Sequence, residues 1–369
     1  TMPNILGTRL RILREELGLT QENLGNALGI SAEFISLLEL GERTPSLKTL
    51  KSISDFFKKD FSYFLEAEEA PSEKLIKRAG EDKKTKTGLR KFYNTCRKSI
   101  ELESMLGLRP ELAPLYTTAS AERLAHEERE RLGLGSEPIR DIFNLLERNG
   151  LHIIRQSLPE EANISGVFLF FELEQSAFAL ISTHHRIDHQ VFIAAHEYFH
   201  YLKDRNTEII VDNQDVLINE YLPLYHPREK LAFLFALHFL APKEKIKKII
   251  KGQFPPTRLS FQDVLYLKRY FGVSTMAMLY ALNHYGYLSS SQLKEFQNTE
   301  NLEYEKDVFG TVLYEEIEKK TRVKEVVSDR RKWLILEAYQ KKKIDGDEAS
   351  RLLKLDKERL QKLVKIERD

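Results

Sequence analysis

A single cysteine, Cys96, in 369 residues rules out an internal disulfide and any cysteine-rich metal site. Charge of one sign is also missing: 57 basic and 56 acidic residues leave a net +1, which gives no global drive to coat nucleic acid. No apolar segment is long and charge-free enough to span a bilayer, so no membrane partner is expected. With no signal peptide at the start of the chain either, a cytoplasmic protein is expected. No internal repeat is evident. What is present, 42% hydrophobic residues, is enough for about two or three cores.

Five residues then stand out: His196-Glu197-Tyr198-Phe199-His200, inside the apolar run from Val191 to Leu202. At about 3.6 residues per turn, the two histidines point the same way from successive turns, and both imidazoles can reach one metal ion. Glu197, one residue round the helix, can act on water as a general base instead of binding the metal. The apolar residues around the motif suit a helix buried in a core with one polar strip facing a cleft. Burying two histidines and a glutamate there without a metal would be costly.

A hydrolytic zinc needs a third protein ligand. The best candidate is Glu229, just after Pro227 at the start of an apolar helical segment that runs to Leu240, with Glu220 and Asp204 as rivals. His238, on the same segment, and His189, just before the motif, are candidate cleft or transition-state residues. His184, His185 and His189 read as a solvated loop lining the cleft, not as ligands.

The helix pair, with Glu229-x-x-Ala232-x-x-Phe235-Ala236-x-x-Phe239-Leu240-x-Pro242 after the zinc motif, resembles the ImmA/IrrE family of bacterial and phage metallopeptidases. The likeness extends upstream through Ala121-Glu122-Arg123-Leu124, Pro138-Ile139-x-Asp141-Ile142 and Leu145-Leu146-Glu147-x-x-Gly150-Leu151, and downstream to Phe271-Gly272-Val273-Ser274. The resemblance implies zinc-dependent, site-selective cleavage of a partner repressor under stress. His196, His200 and Glu229 would be ligands of one Zn2+ per chain, with Mn2+ as the alternative ion, and Glu197 the general base. The chain departs from the family pattern at Phe199, where Gly is usual, at Asp204, where a further His is common, and in the approach His185 to Phe192.

The first sixty or so residues carry a second pattern. Leu19-Thr20-Gln21-Glu22-x-Leu24-Gly25-x-x-Leu28-Gly29-Ile30-Ser31-x-x-Phe34-Ile35-Ser36-x-Leu38-Glu39-x-Gly41-x-Arg43 resembles the XRE-type helix-turn-helix of lambda-type repressors. Thr20 and Ser31 are placed to cap two short helices and Gly29 to turn between them, over a core of Leu24, Leu28, Ile30, Ile35 and Leu38. Gln21 would meet a phosphate, and Ser31, Ala32, Glu33, Ser36, Leu37 and Arg43 would lie toward double-stranded DNA. The face is poor in donors, because neither Arg nor Lys occurs between Arg14 and Arg43. A dimerisation or docking module, giving a homodimer, is the competing reading.

The expected fold class is α+β and predominantly helical. It comprises an all-α helix-turn-helix domain over 1–65, a linker with a basic run over 66–88, a zincin-like peptidase domain over 89–290 and a helical C-terminal region over 291–369. Strands are expected at 151–154, 166–171 and 177–182, giving a small sheet of about three strands. Helices are expected at 89–106, 119–133, 137–149, 261–271, 274–285 and 290–299, and a second helix-turn-helix-like segment lies within 325–366, with Asp356 capping its last helix. The basic run, ten Lys and Arg between Glu73 and Lys98 with Phe92 and Tyr93 among them, could contact a nucleic-acid signal or form a solvated helix face. Two functions are therefore in play. One is a zinc endopeptidase that cuts a regulatory protein; the other is a DNA-binding regulator whose peptidase-like domain is a non-catalytic sensor or scaffold.

Overall fold

The computed structural model of the chain describes residues 5–17, 19–57, 59, 61, 64, 74–75, 82–109, 111–213, 227–255, 258–299, 301–315 and 325–365. The chain divides into two compact units, Thr1–Pro71 and Ser72–Asp369.

In the first unit four helices, α1 (Ile5–Glu16), α2 (Gln21–Leu28), α3 (Ala32–Leu40) and α4 (Leu47–Phe57), enclose a core of Leu10, Leu13, Leu24, Ile35, Leu38, Leu50, Ile53 and Phe64. Local chemistry sets the boundaries. Thr20 and Ser31 cap α2 and α3 by accepting from the backbone N–H of Asn23 and Phe34, and Gly29 ends α2 at φ 69°, a left-handed conformation that suits glycine. Gly25 lets the two helices approach, since a Cβ there would lie 2.7 Å from the Ile30 carbonyl oxygen.

In the second unit a long helix, α5 (Lys83–Met105), precedes α6 (Ala121–Arg131) and α7 (Ile142–Arg148). Helix α5 starts six residues before the expected 89, because Asp82 caps it by accepting from Thr85 N–H at 2.8 Å. Strands β1 (Leu151–Gln156), β2 (Ile164–Phe171) and β3 (Ser176–Ser182) lie where expected. The sheet is wider than three strands, however. β4 (Ile209–Asn213) and the two-residue β5 (Glu325–Val326) complete the order β4-β2-β3-β1-β5, with β1 and β3 parallel and the other pairs antiparallel.

Helix α8 (Ile187–Lys203) packs on the sheet and beside α9 (Pro227–Leu240). Its outer end is fixed by Tyr201, whose hydroxyl donates to the Asn149 carbonyl at 2.8 Å and accepts from Ala113 N–H at 2.7 Å. Phe199 is buried against Phe235, with ring centroids 5.8 Å apart, so the phenyl group that replaces the usual glycine fills the core. The helices α10 (Lys243–Gln253), α11 (Phe261–Phe271), α12 (Thr275–His284), α13 (Ser290–Gln297) and α14 (Asn301–Phe309) follow. The last three, α15 (Asp329–Gln340), α16 (Gly346–Leu353) and α17 (Lys357–Lys365), close a small core with Leu102 of α5, and Asp356 accepts from Arg359 N–H at the start of α17. This helix-turn-helix-like segment packs on α5 through that core.

Candidate metal centre

The apolar periodicity of α8 drives it into the core, and all of Ile187–Leu202 except His189 is buried. His196 and His200 are consequently fully buried on one face. Helix α9 crosses that face and brings Glu229, from its first turn, to the same point: Glu229 Oε2 lies 3.2 Å from His196 Nε2 and 3.3 Å from His200 Nε2. The two imidazole Nε2 atoms are 3.3 Å apart. The fourth member is Asp212 of β4, whose Oδ2 is 3.2 Å from His196 Nε2 and 3.4 Å from His200 Nε2. Among the described residues these four are the group whose ligand atoms converge, all within 4.8 Å of one another.

These spacings fit a bound ion. Bonds of about 2.0–2.1 Å place the ligand atoms of a tetrahedral zinc about 3.3–3.4 Å apart. Asp212 Oδ2 also makes no hydrogen bond, although two imidazole nitrogens are within ion-pair distance. An acidic oxygen that faces two imidazole nitrogens without hydrogen-bonding either has a common third partner, a cation, as its natural resolution.

Surrounding groups orient the set. Asp204, considered as a ligand, instead accepts from His200 Nδ1 at 2.8 Å, which leaves Nε2 free to face the cluster. Arg228 donates to the other Glu229 oxygen at 3.1 Å. Glu220 lies outside the described residues. Asp212 was missed by sequence reasoning. Its signal is a lone carboxylate at the end of the β-branched run Ile209-Ile210-Val211.

Glu197 is fully buried, and both its carboxylate oxygens lack hydrogen-bond partners. Gly166 of β2 makes room for it: a Cβ on Gly166 would stand 1.9 Å from Glu197 Oε1. Burial, then the negative charge of Asp212, pushes the Glu197 carboxyl well above its usual range. Burial also opposes charge on the four converging groups, but their mutual attraction outweighs it. Asp212 and Glu229 raise His196 and His200, and the imidazoles hold Asp212 well below the usual carboxylate range and Glu229 at about 2.

His189 and His238 are not part of the cluster. His189 lines a 440 Å³ cavity with His185, Phe192, Phe233, Met276 and Tyr280. Phe192 lies one turn before His196 and Phe233 one turn after Glu229, and their rings meet at 5.3 Å, so this cavity opens one helical turn from the cluster. His185 and His189 are not solvated as expected: burial lowers them to about 3 and about 4. His238 turns toward helix α12, with Nδ1 3.2 Å from the Tyr285 hydroxyl and Nε2 3.3 Å from His284 Nε2.

In the helix-turn-helix unit, the Gln21 side chain donates to Glu39 at 2.8 Å, and Glu39 also accepts from Arg14. Ser31 is engaged as a cap, Glu33 and Arg43 are exposed, and Ala32, Ser36 and Leu37 are half-buried. Several of the basic residues between 73 and 98 have acidic partners: Lys74 with Glu208, Arg97 with Glu174 and Lys98 with Glu348 and Glu101. Lys83, Lys84 and Arg90 are exposed. No described helix is long and apolar enough to cross a membrane.

No curated protein matches the chain. Among solved structures it matches the crystal structure of Bacillus thuringiensis PlcR in complex with the peptide PapR7 and DNA. That match has 12% identity over 98% of this chain and 91% of that one, and its TM-score of 0.18 is too low to carry an argument. Residues 10–64 match the helix-turn-helix family model, and residues 146–283 match that of the IrrE N-terminal-like domain, which contains all four converging residues and Glu197. By these two matches the chain joins an XRE-type helix-turn-helix domain to a domain of the IrrE/ImmA peptidase family.

Proposed function

We propose that the chain is a zinc-dependent endopeptidase that cleaves a regulatory protein of the repressor class, and that its helix-turn-helix brings it to double-stranded DNA where that target sits. His196, His200 and Glu229 hold the ion, and Glu197 is the general base. When bound, zinc supplies Lewis acidity to the water and to the scissile carbonyl. Glu197 takes a proton from the attacking water at a carboxylate oxygen and passes it to the departing amine nitrogen. The cavity between Phe192 and Phe233 accepts an apolar substrate side chain next to the cleaved bond, and β4, an outer strand, offers backbone groups to an extended peptide.

One observation carries this reading over a non-catalytic scaffold: the buried, unpartnered carboxylate of Glu197 beside the ligand cluster. A purely structural metal site gains nothing from such a group, and leaving it unpaired costs stability. A base that must take and release a proton needs it in that condition. The test is incubation of zinc-loaded wild type and Glu197→Gln with a repressor encoded beside this protein, followed by intact-mass analysis of both partners. The expected result is site-selective cleavage by wild type and none by Glu197→Gln, which keeps its zinc. Equal cleavage by both would refute the assignment of Glu197. Fragments of the protein itself would reveal self-cleavage.

A further inference from the structure

A hydrolytic zinc has three protein ligands and an open position for water, whereas a closed site has four. The geometry points to Asp212 as a fourth protein ligand that occupies the position the hydrolytic water needs, so that the centre is latent until the end of β4 moves and withdraws it. This inference rests on the metallopeptidase reading above. Asp212 Oδ2 is placed like a ligand atom, at 3.2 and 3.4 Å from the two imidazole Nε2 atoms, against 3.2 and 3.3 Å for Glu229 Oε2. A group that merely oriented a ligand would resemble Asp204, which sits on the far nitrogen of His200 and is hydrogen-bonded to it. Asp212 Oδ2 faces the near nitrogens and bonds to neither.

The backbone is built to deliver this carboxylate. The β2–β4 ladder pairs Ile164 with Asn213 and Gly166 with Asp212, so Ser165 is an extra residue. Such a bulge turns the local strand direction and re-aims side chains. Gly166, opposite Asp212, is also the residue that makes room for Glu197. Gly166 therefore borders both the general base, through its missing Cβ, and Asp212, through the ladder. Asp212 lies on an outer strand held by β2 alone among the described residues, so releasing it requires movement of one strand end and leaves the helices that carry His196, His200 and Glu229 in place.

The test uses the full chain loaded with cobalt(II), whose visible absorption reports coordination number, titrated with acetohydroxamate, a small chelator that needs an open position. Asp212→Ala opens the site, and Asp212→Asn removes the charge while keeping the shape if the alanine variant fails to fold. An intramolecular ligand competes at high effective concentration, so acetohydroxamate should bind both variants on the order of ten-fold or more tightly than wild type. The wild-type spectrum should stay unchanged at acetohydroxamate concentrations that shift the spectra of both variants. Equal acetohydroxamate affinity in wild type and variants would remove Asp212 from the ligand set and leave the peptidase reading standing. A variant that folds by circular dichroism but takes up no metal would make Asp212 an obligatory structural ligand and overturn latency. Failure of wild type itself to take up cobalt or zinc would sink the metal reading and this inference with it.

Discussion

Gly166→Ala places a methyl group where the Glu197 carboxylate lies. The new Cβ would stand 1.9 Å from Glu197 Oε1, 2.8 Å from Cδ and 3.1 Å from Ile193 Cγ2. A carbon and an oxygen come no closer than about 3.3 Å without strain, so the carboxylate must retreat by roughly 1.4 Å. It is fully buried on a helix packed against the sheet, so the retreat displaces its neighbours. Overpacking of this kind costs about 1–3 kcal/mol. The strain should depend on Glu197: in a Glu197→Ala background the same substitution meets chiefly Ile193, which must give by only a few tenths of an ångström. A double-mutant cycle followed by urea denaturation should therefore return a coupling of about 1–2 kcal/mol between positions 166 and 197. The same cost for Gly166→Ala in both backgrounds would refute the close approach of Gly166 and the Glu197 carboxylate.

Two further outcomes follow from the packing. Gly25→Ala drives a Cβ to 2.7 Å from the Ile30 carbonyl oxygen and 3.2 Å from Ala32 N, backbone atoms that cannot turn aside, so it should destabilise the helix-turn-helix by about 1–3 kcal/mol, read by thermal denaturation of residues 1–71. An unchanged melting temperature would contradict the packing of α2 on α3. Burial and the neighbouring His284 and Lys243 charges lower His238 to about 4. Because the unfolded chain takes up this proton first, stability is full above the ordinary imidazole pKa, falls as pH drops toward 4 and levels off below. Between neutral pH and about pH 5 the loss from this group is about 2 kcal/mol. In metal-free protein His238→Gln should flatten the pH dependence of urea midpoints by that amount, and an unaltered slope would contradict the burial of a neutral His238.

The parts of the molecule that local chemistry fixes were legible in the sequence. Thr20, Ser31, Gly29 and Asp356 announce helix ends because caps and left-handed turns depend on a few adjacent residues. His196 and His200 announce a shared face because helix periodicity is rigid. Glu229 was reachable because it opens an apolar helix that had to pack nearby. Asp212 was not: it sits on a five-residue strand, and its aim depends on a bulge across the ladder at Ser165, which no local pattern encodes. Asp204, a rival of Glu229 on the sequence alone, falls outside the cluster because its carboxylate bonds the far imidazole nitrogen of His200. The histidines at 184, 185 and 189 looked solvated because their segment is polar, whereas all three line a cavity with Phe192, Phe233 and Tyr280. The additional strand β5 is only two residues long, too short for periodicity to register.

Elemental analysis of metal in purified wild type, His196→Ala and Glu229→Ala tests the central claim most directly. The account predicts about one zinc per wild-type chain and sharply less in both variants, because each removes one of the converging ligand atoms. A wild-type protein that is metal-free and takes up none on incubation with zinc would contradict it.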